Sequence, residues 1–312
     1  MITSTPILLS VVICTFNRCD LLKGALESLI NQSAAPEDFE VLIIDNASTD
    51  DTKAVSTSYV SRYQHFRYFH ETTVGASSAR NRGCQEARGL FIAFMDDDGR
   101  ADKYWIQVYL KLIQSLNPRP LILGGPIYPF YLGQKPDWFL DKYEIRNLGK
   151  KGYIDLNTMV NISGSNMVLE LMLIRKIGGF DPVLGPHGKK FWLGEETELL
   201  ERAAQISNQD IVAYYEPDAI VYHAVPPVKY TVMYRLRRTF IGSANLAQRT
   251  KAQDPWKQKL GHLAWYSRKM IKDGWRSLLE RKNYSRAENW WVESFVSVVS
   301  DAGTIVGIFG RI

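Results

Sequence analysis

Leu90-Phe91-Ile92-Ala93-Phe94-Met95 runs without a break into Asp96-Asp97-Asp98-Gly99, and this junction decides the fold. Six consecutive apolar residues suit a strand buried on both faces, and the abrupt change to three carboxylates marks its carboxyl end. Two earlier stretches repeat the pattern. Ile7 to Cys14 gives way to Thr15-Phe16-Asn17-Arg18, and Glu40 to Ile44 gives way to Asp45-Asn46. Between them, Asp20 to Gln32 sets Leu21, Leu22, Ala25, Leu26, Leu29 and Ile30 on one helical face, with Asp20 placed to cap its start; Ser48-Thr49-Asp50-Asp51 opens a second helix through Tyr63. This alternation predicts an α/β fold whose mostly parallel, Rossmann-like sheet is flanked by helices.

Ligands in such sheets bind beyond the carboxyl ends of the strands. The rule brings Thr15 to Arg18, Asp45 and Asp96 to Asp98 onto one polar rim. Three adjacent carboxylates raise one another's pKa unless a cation compensates them. Alternation along an extended chain sends Asp96 and Asp98 to one side and Asp97 to the other, so Asp96 and Asp98 are the expected metal-facing pair. All-oxygen ligation points to Mn²⁺ or Mg²⁺ shared with substrate phosphates. A plain turn also accommodates Asp97-Asp98-Gly99, but the strand ahead of it and the matching rim residues favour a ligand site.

The chain has 312 residues, enough to bury a sizeable core. Its charge is divided: residues 1–228 carry 22 Lys/Arg against 27 Asp/Glu, and residues 229–312 carry 16 against 6. An acidic body and a basic, Trp-rich tail predict that the tail meets something anionic, phospholipid or a phosphorylated substrate, unless it is simply a solvated helix face. Cys14, Cys19 and Cys84 lack the paired spacing of a disulfide framework or zinc site, and Met1 to Pro6 lacks the basic start of a signal peptide. Both point to the cytoplasm.

Three stretches are expected: 1–105 as a nucleotide-binding half, 106–228 as a loop-rich acceptor half of the same domain, and 229–312 as a helical C-terminal extension, with Met233 to Gln248 and Gln258 to Arg281 as its clearest helices. Trp290 to Ile312 comes nearest to a membrane span, but Glu293 and Asp301 interrupt it. An interfacial helix and core packing both remain open for it.

Beyond the rim, the chain resembles the family 2 glycosyltransferases of the GT-A fold through most of residues 8–225. The matching stretches are Val11 to Arg18, Val41 to Thr52, Gly75-Ala76-Ser77-Ser78-Ala79-Arg80-Asn81-Arg82-Gly83, Phe94 to Asp98, Gly164-Ser165-Asn166-Met167, Gly178-Gly179-Phe180-Asp181 and Gly194-Glu195-Glu196-Thr197-Glu198-Leu199. The resemblance implies an inverting transfer from a nucleotide sugar, usually a uridine one, to an acceptor hydroxyl. It implies that Thr15, Phe16, Asn17, Arg18 and Asp45 surround the nucleobase, that Arg80, Asn81, Asp96 and Asp97 lie along the nucleotide, and that Asp98 ligates the metal. It also implies a base at Glu196, with Glu195 in reserve, although the family has Asp where this chain has Glu.

Acids in the first turn of a helix also favour its dipole, so Glu195, Glu196 and Glu198 have a structural reading too. Arg80 likewise doubles as a salt-bridge partner for the acidic rim. His223 follows the apolar run Ala219 to Tyr222 and is a possible third metal ligand or an ordinary histidine. On the acceptor side, Trp138 and Trp192 offer faces for sugar rings or for packing, and Asn166 lies in a matching motif. The expected acceptor is a saccharide or lipid-linked saccharide, with peripheral membrane contact through 229–312 and no nucleic acid. No G-x-G-x-x-G follows Cys14, which argues against a dinucleotide enzyme. The rival reading is a non-catalytic nucleotide-sugar-binding protein of the same fold.

Overall fold

The computed structural model describes residues 7–155, 162–187, 190–191, 194–206 and 212–310. The chain forms two compact units, the first from residues 1–130, 144–189 and 195–224, the second from 131–143, 190–194 and 225–312. In chain order the first begins β1 (Leu9–Thr15), α1 (Cys19–Ile30), β2 (Phe39–Asp45), α2 (Thr52–Val60), β3 (Phe66–His70), α3 (Ala76–Glu86) and β4 (Phe91–Phe94). It continues through β5 (Gly99–Ala101), α4 (Trp105–Ser115), β6 (Ile122–Gly124), β7 (Ile127–Tyr131), β8 (Gly152–Ile154), β9 (Met167–Glu170), α5 (Leu171–Lys176), the two-residue strand β10 (Pro186–His187), α6 (Glu195–Ile206), β12 (Ala213–Tyr215) and β13 (Val221–Val225), while the two-residue strand β11 (Lys190–Phe191) belongs to the second unit.

Eight strands form one sheet in the order β3-β2-β1-β4-β9-β6-β12-β8. β3, β2, β1 and β4 are parallel, with Thr15 opposite Asp45 in the β1–β2 register. β9 runs antiparallel between β4 and β6. The central strands are mostly apolar because both faces are covered, and the buried Ser10 and Glu40 satisfy each other through a 2.7 Å hydrogen bond. Along β1, Leu9, Val11 and Ile13 enter one buried layer with Leu22, Leu26 and Trp105, while Val12 enters the other with Ala79, Phe180 and Leu199.

Several local expectations change. Asp20 does not cap α1: it pairs with Lys23 at 3.0 Å, and the Cys19 N–H instead donates to Asp50 Oδ2 at 3.1 Å. The cap therefore comes from the loop after the neighbouring strand. Phe66–His70 is a strand that the sequence reading left out, since its pattern is mixed and only Phe66 is fully buried. The 106–228 stretch is less irregular than expected, contributing β6, β8, β9 and β12 to the main sheet.

The second unit carries α7 (Val232–Lys251), α8 (Trp256–Glu280), α9 (Ala287–Glu293) and α10 (Val296–Phe309). Gly303 and Gly307 of α10 lie so close to α7 that an added Cβ would overlap the carbonyls of Phe240 and Ala244. Among the described residues, no single helix is long and apolar enough to cross a membrane; α9 and α10, bent by 42°, reach that length only as a pair.

Candidate active site

The rim expected from the strand ends is present in the first unit. Asn17 adopts a left-handed backbone, φ 53°, which its short polar side chain tolerates. Its Oδ1 accepts from the Thr49 N–H at 2.7 Å, and its own N–H donates to Ser48 Oγ at 2.9 Å. These bonds join the loops after β1 and β2. Asp45 is 1% exposed; its Oδ1 accepts from the Ser48 N–H at 2.9 Å and its Oδ2 from the Tyr68 hydroxyl at 2.8 Å. Phe16, beside this buried carboxylate in sequence, is 45% exposed.

The three aspartates lie past the end of β4, with Asp97 and Asp98 in a turn. Arg18 Nη1 stands 3.1 Å from Asp97 Oδ1 and 3.3 Å from Asp98 Oδ2. Burial pushes the Asp97 carboxyl up to about 6; Arg18 opposes this and Asp98 adds to it. Asp96 and Asp98 turn toward His223, which sits on β13 opposite Gly99 in the antiparallel register with β5. His223 Nε2 lies 3.0 Å from Asp98 Oδ1 and 3.6 Å from Asp96 Oδ2. Ser165, named in a matching stretch but given no role there, donates its hydroxyl to Asp96 Oδ2.

One oxygen from each carboxylate and one imidazole nitrogen lie within 4.8 Å of one another. His223 Nδ1 lies 3.1 Å from the Ala224 carbonyl, which fits donation from that nitrogen and leaves Nε2 with a lone pair directed at the acids. Buried Asp98 Oδ1 has no well-aligned hydrogen-bond donor. Two oxygens and a nitrogen converging as acceptors form a donor set that suits a divalent cation. Without one, burial lowers the His223 pKa, but the two carboxylates outweigh it and push the imidazole up to about 9.

Arg80, on α3, extends the cluster. It is 7% exposed, with Nη1 2.8 Å from Glu195 Oε1 and Nη2 3.3 Å from Glu196 Oε1 and 3.6 Å from Asp96 Oδ1. Burial disfavours its charge, yet Glu196, Glu195 and Asp96 together raise its pKa. Glu196 responds differently: burial, opposed by Arg80 and assisted by Glu195, pushes its carboxyl up to about 7. The Glu196 side chain packs on Gly164, where any Cβ would overlap it. It also lines a cavity of about 410 Å³ with Arg146, Asn147, Leu148, Ser163 and Thr197.

Some expected contacts are occupied by the scaffold. Asn81 exchanges two 2.8 Å hydrogen bonds with the Phe180 backbone, Nδ2 to the carbonyl and Oδ1 from the N–H. Asn166 is fully buried; its Oδ1 accepts from Trp105 Nε1 and the Tyr109 hydroxyl, and its Nδ2 donates to the Pro126 and Ala219 carbonyls. Every polar position of that amide is used, so it has nothing left for an acceptor. Trp138 is 8% exposed and packs in the second unit against Phe139 and Tyr143. Trp192 lies outside the described residues.

Comparison with known proteins agrees with this geometry. Residues 10–177 match the model of glycosyl transferase family 2. The glucosyl-dolichyl phosphate glucuronosyltransferase of Haloferax volcanii is 23% identical over 218 residues, 69% of this chain and 68% of the relative. Other relatives reach 40% identity, but the chain spans a third or less of their length. Among solved structures, the mannosyltransferase PcManGT of Pyrobaculum calidifontis, in complex with GDP-Man and Mn²⁺, shares the fold with a TM-score of 0.62 at 17% identity, over 97% of this chain and 88% of that one. S. aureus TarS 1–349 in complex with UDP-GlcNAc gives 0.55 at 17% identity, over 93% and 90%. The fold is of the GT-A type, and with more than half of its length matched, the chain belongs to glycosyl transferase family 2.

Proposed function

We propose that this protein transfers a sugar, with inversion, from a uridine diphosphate sugar to the hydroxyl of a saccharide or lipid-linked saccharide in cell-surface polysaccharide or glycolipid synthesis. The observation that carries the reading is the junction of two facing groups through one side chain: the Asp96–Asp98–His223 donor set and the Glu195–Glu196 pair meet on Arg80. Sugar transfer needs charge stabilisation at the leaving diphosphate and a base at the acceptor, side by side.

In this reading Asp96, Asp98 and His223 hold Mn²⁺ or Mg²⁺, which when bound neutralises charge on the donor's phosphates. Thr15, Phe16, Asn17, Arg18 and Asp45 form the base-binding rim, with Asp45 accepting from the base through a lone pair not used by Ser48 or Tyr68. Arg80, Asp97 and the backbone near Asn81 flank the nucleotide. Glu196 takes the proton of the acceptor hydroxyl from its place on the cavity wall; Glu195 orients Arg80. Residues 1–105 thus act as the donor half and 106–228 as the acceptor half, with 229–312 making the peripheral contact to the inner face of the membrane.

Release of sugar from a panel of UDP- and GDP-sugars, with Mn²⁺, Mg²⁺ or chelator, tests this reading. Metal-dependent turnover of a UDP-sugar that Asp98→Ala abolishes is the expected result. Nucleotide-sugar binding without turnover under any metal or acceptor would favour the non-catalytic binding protein instead.

A further inference from the structure

α8 is built inside out. The helix occupies 25 residues, about 37 Å at 1.5 Å per residue. Its polar pairs face its own helical neighbours: Lys269 Nζ donates to Asp273 Oδ2 at 3.0 Å and to Asp301 Oδ2 of α10 at 2.7 Å, and both aspartates are buried. Several of its large apolar side chains face outward. Trp256 is 64% exposed, Trp265 57%, Ile271 64%, Trp275 67% and Leu279 73%. An ordinary surface helix buries such a stripe and exposes the charges.

The exposed positions 256, 260, 264, 268, 271, 275 and 279 follow one another at three- and four-residue steps, so they form a single stripe along the helix, with Trp265 at its flank. The charged residues within it are of one sign. Lys257, Arg268 and Lys272 are exposed among the apolar residues, whereas the helix's two acids, Asp273 and Glu280, are buried and half-buried. Tryptophans interleaved with Lys and Arg on an exposed face are the pattern of a helix lying in the headgroup region of a bilayer. The absence of exposed acids along α8 specifies the charge of that bilayer.

We infer that α8 docks the protein on a membrane bearing anionic phospholipid, with Trp265, Ile271, Trp275 and Leu279 entering the headgroup–acyl boundary and Lys257, Arg268 and Lys272 pairing with lipid phosphates. This rests on the membrane contact proposed above for 229–312 and names its helix, its face and the lipid charge, while standing apart from any assignment of donor or acceptor. Trp290 takes no part in this face: it is buried and donates its Nε1–H to the Ser277 carbonyl at 2.8 Å.

Co-sedimentation of the full chain with vesicles tests it, using phosphatidylcholine alone and with about a third phosphatidylglycerol. Binding to the anionic vesicles at least tenfold tighter than to the neutral ones, weakened by salt, is expected. Because each surface cation contributes about fivefold, Arg268→Ala/Lys272→Ala is expected to weaken binding by roughly 25-fold. Trp265→Ala/Trp275→Ala is expected to abolish binding even to anionic vesicles, while circular dichroism and nucleotide binding stay unchanged. Equal partition to both vesicle types, or tryptophan variants that bind like wild type, would overturn the inference. So would a failure to bind any vesicle together with a dimer that those variants dissolve, which would make a second copy of the chain the occupant of this face.

Discussion

Arg80 Nη1 lies 2.8 Å from Glu195 Oε1, a contact between two side chains that are each less than a tenth exposed. The same guanidinium reaches Glu196 and Asp96, so one cation balances three acids. Removing it leaves buried carboxylates uncompensated, an effect of about 3–5 kcal/mol for a broken buried pair. Arg80→Ala is therefore expected to lose several kcal/mol of stability in urea denaturation. Arg80→Lys should recover only part of it, because a point charge cannot reproduce the fork that spans Glu195 and Glu196. Wild-type stability in Arg80→Ala would show the cluster to be solvated.

Glu196 gives the activity a pH signature. A base must be ionised, and with its carboxyl pushed up to about 7, kcat/KM is expected to climb as pH rises through that value. Stability runs the other way. The folded state binds the Glu196 proton more tightly than the unfolded chain, so this contribution is complete below the ordinary glutamate value and is lost as pH rises toward about 7. Glu196→Gln is expected to lower kcat by about 10²-fold or more and to flatten that part of the stability profile. A rate profile flat from pH 5 to about 8 would remove Glu196 from the role of base.

Gly164 offers a test of placement without changing a charge. A Cβ there overlaps the Glu196 carboxylate, so Gly164→Ala should displace Glu196 and reduce kcat at least tenfold, the scale expected when a reacting group moves by about 1 Å. UDP affinity, measured by calorimetry, should be unchanged. Loss of UDP binding in step with kcat would mean that the substitution damages the whole site.

Asn166 behaves as scaffold. Removing its four hydrogen bonds strands buried partners on Trp105, Tyr109, Pro126 and Ala219, each worth about 1 kcal/mol or more. Asn166→Ala is expected to unfold at markedly lower urea concentration. A stable Asn166→Ala protein with a selective rise in acceptor KM would return this residue to the acceptor site.

The strand-end rule and the run of apolar residues before Asp96 were enough to read three of the four strands of the parallel half, β1, β2 and β4, and the acidic rim, because these are local and periodic; β3 was missed. The side to which each aspartate turns does not follow from strand alternation: β4 ends at Phe94, Asp97 and Asp98 lie in a turn, and Arg18 reaches both of them. What the sequence hid is long-range. Ser165 reaches Asp96 across 69 positions, and Asp50 caps a helix that begins 31 residues before it. The amide of Asn166 looks available until its four partners, from α4 and the segments around Pro126 and Ala219, are assembled around it. Trp138 carried no local sign of whether it would stack on a sugar or on Phe139. For His223 the apolar run ahead of it suggested a strand end, but only its register against Gly99 brings the imidazole to Asp98.

The central claim is that Asp96, Asp98 and His223 hold a metal that binds together with a uridine nucleotide. Calorimetric titration of UDP, with GDP as the control and with Mn²⁺ present or chelated, tests it on wild type, Asp98→Ala and His223→Ala. The account predicts UDP binding that requires Mn²⁺, is lost in Asp98→Ala, and weakens at least tenfold in His223→Ala, as expected for loss of one of three ligands. UDP binding that is unaffected by chelator and by both substitutions would contradict it.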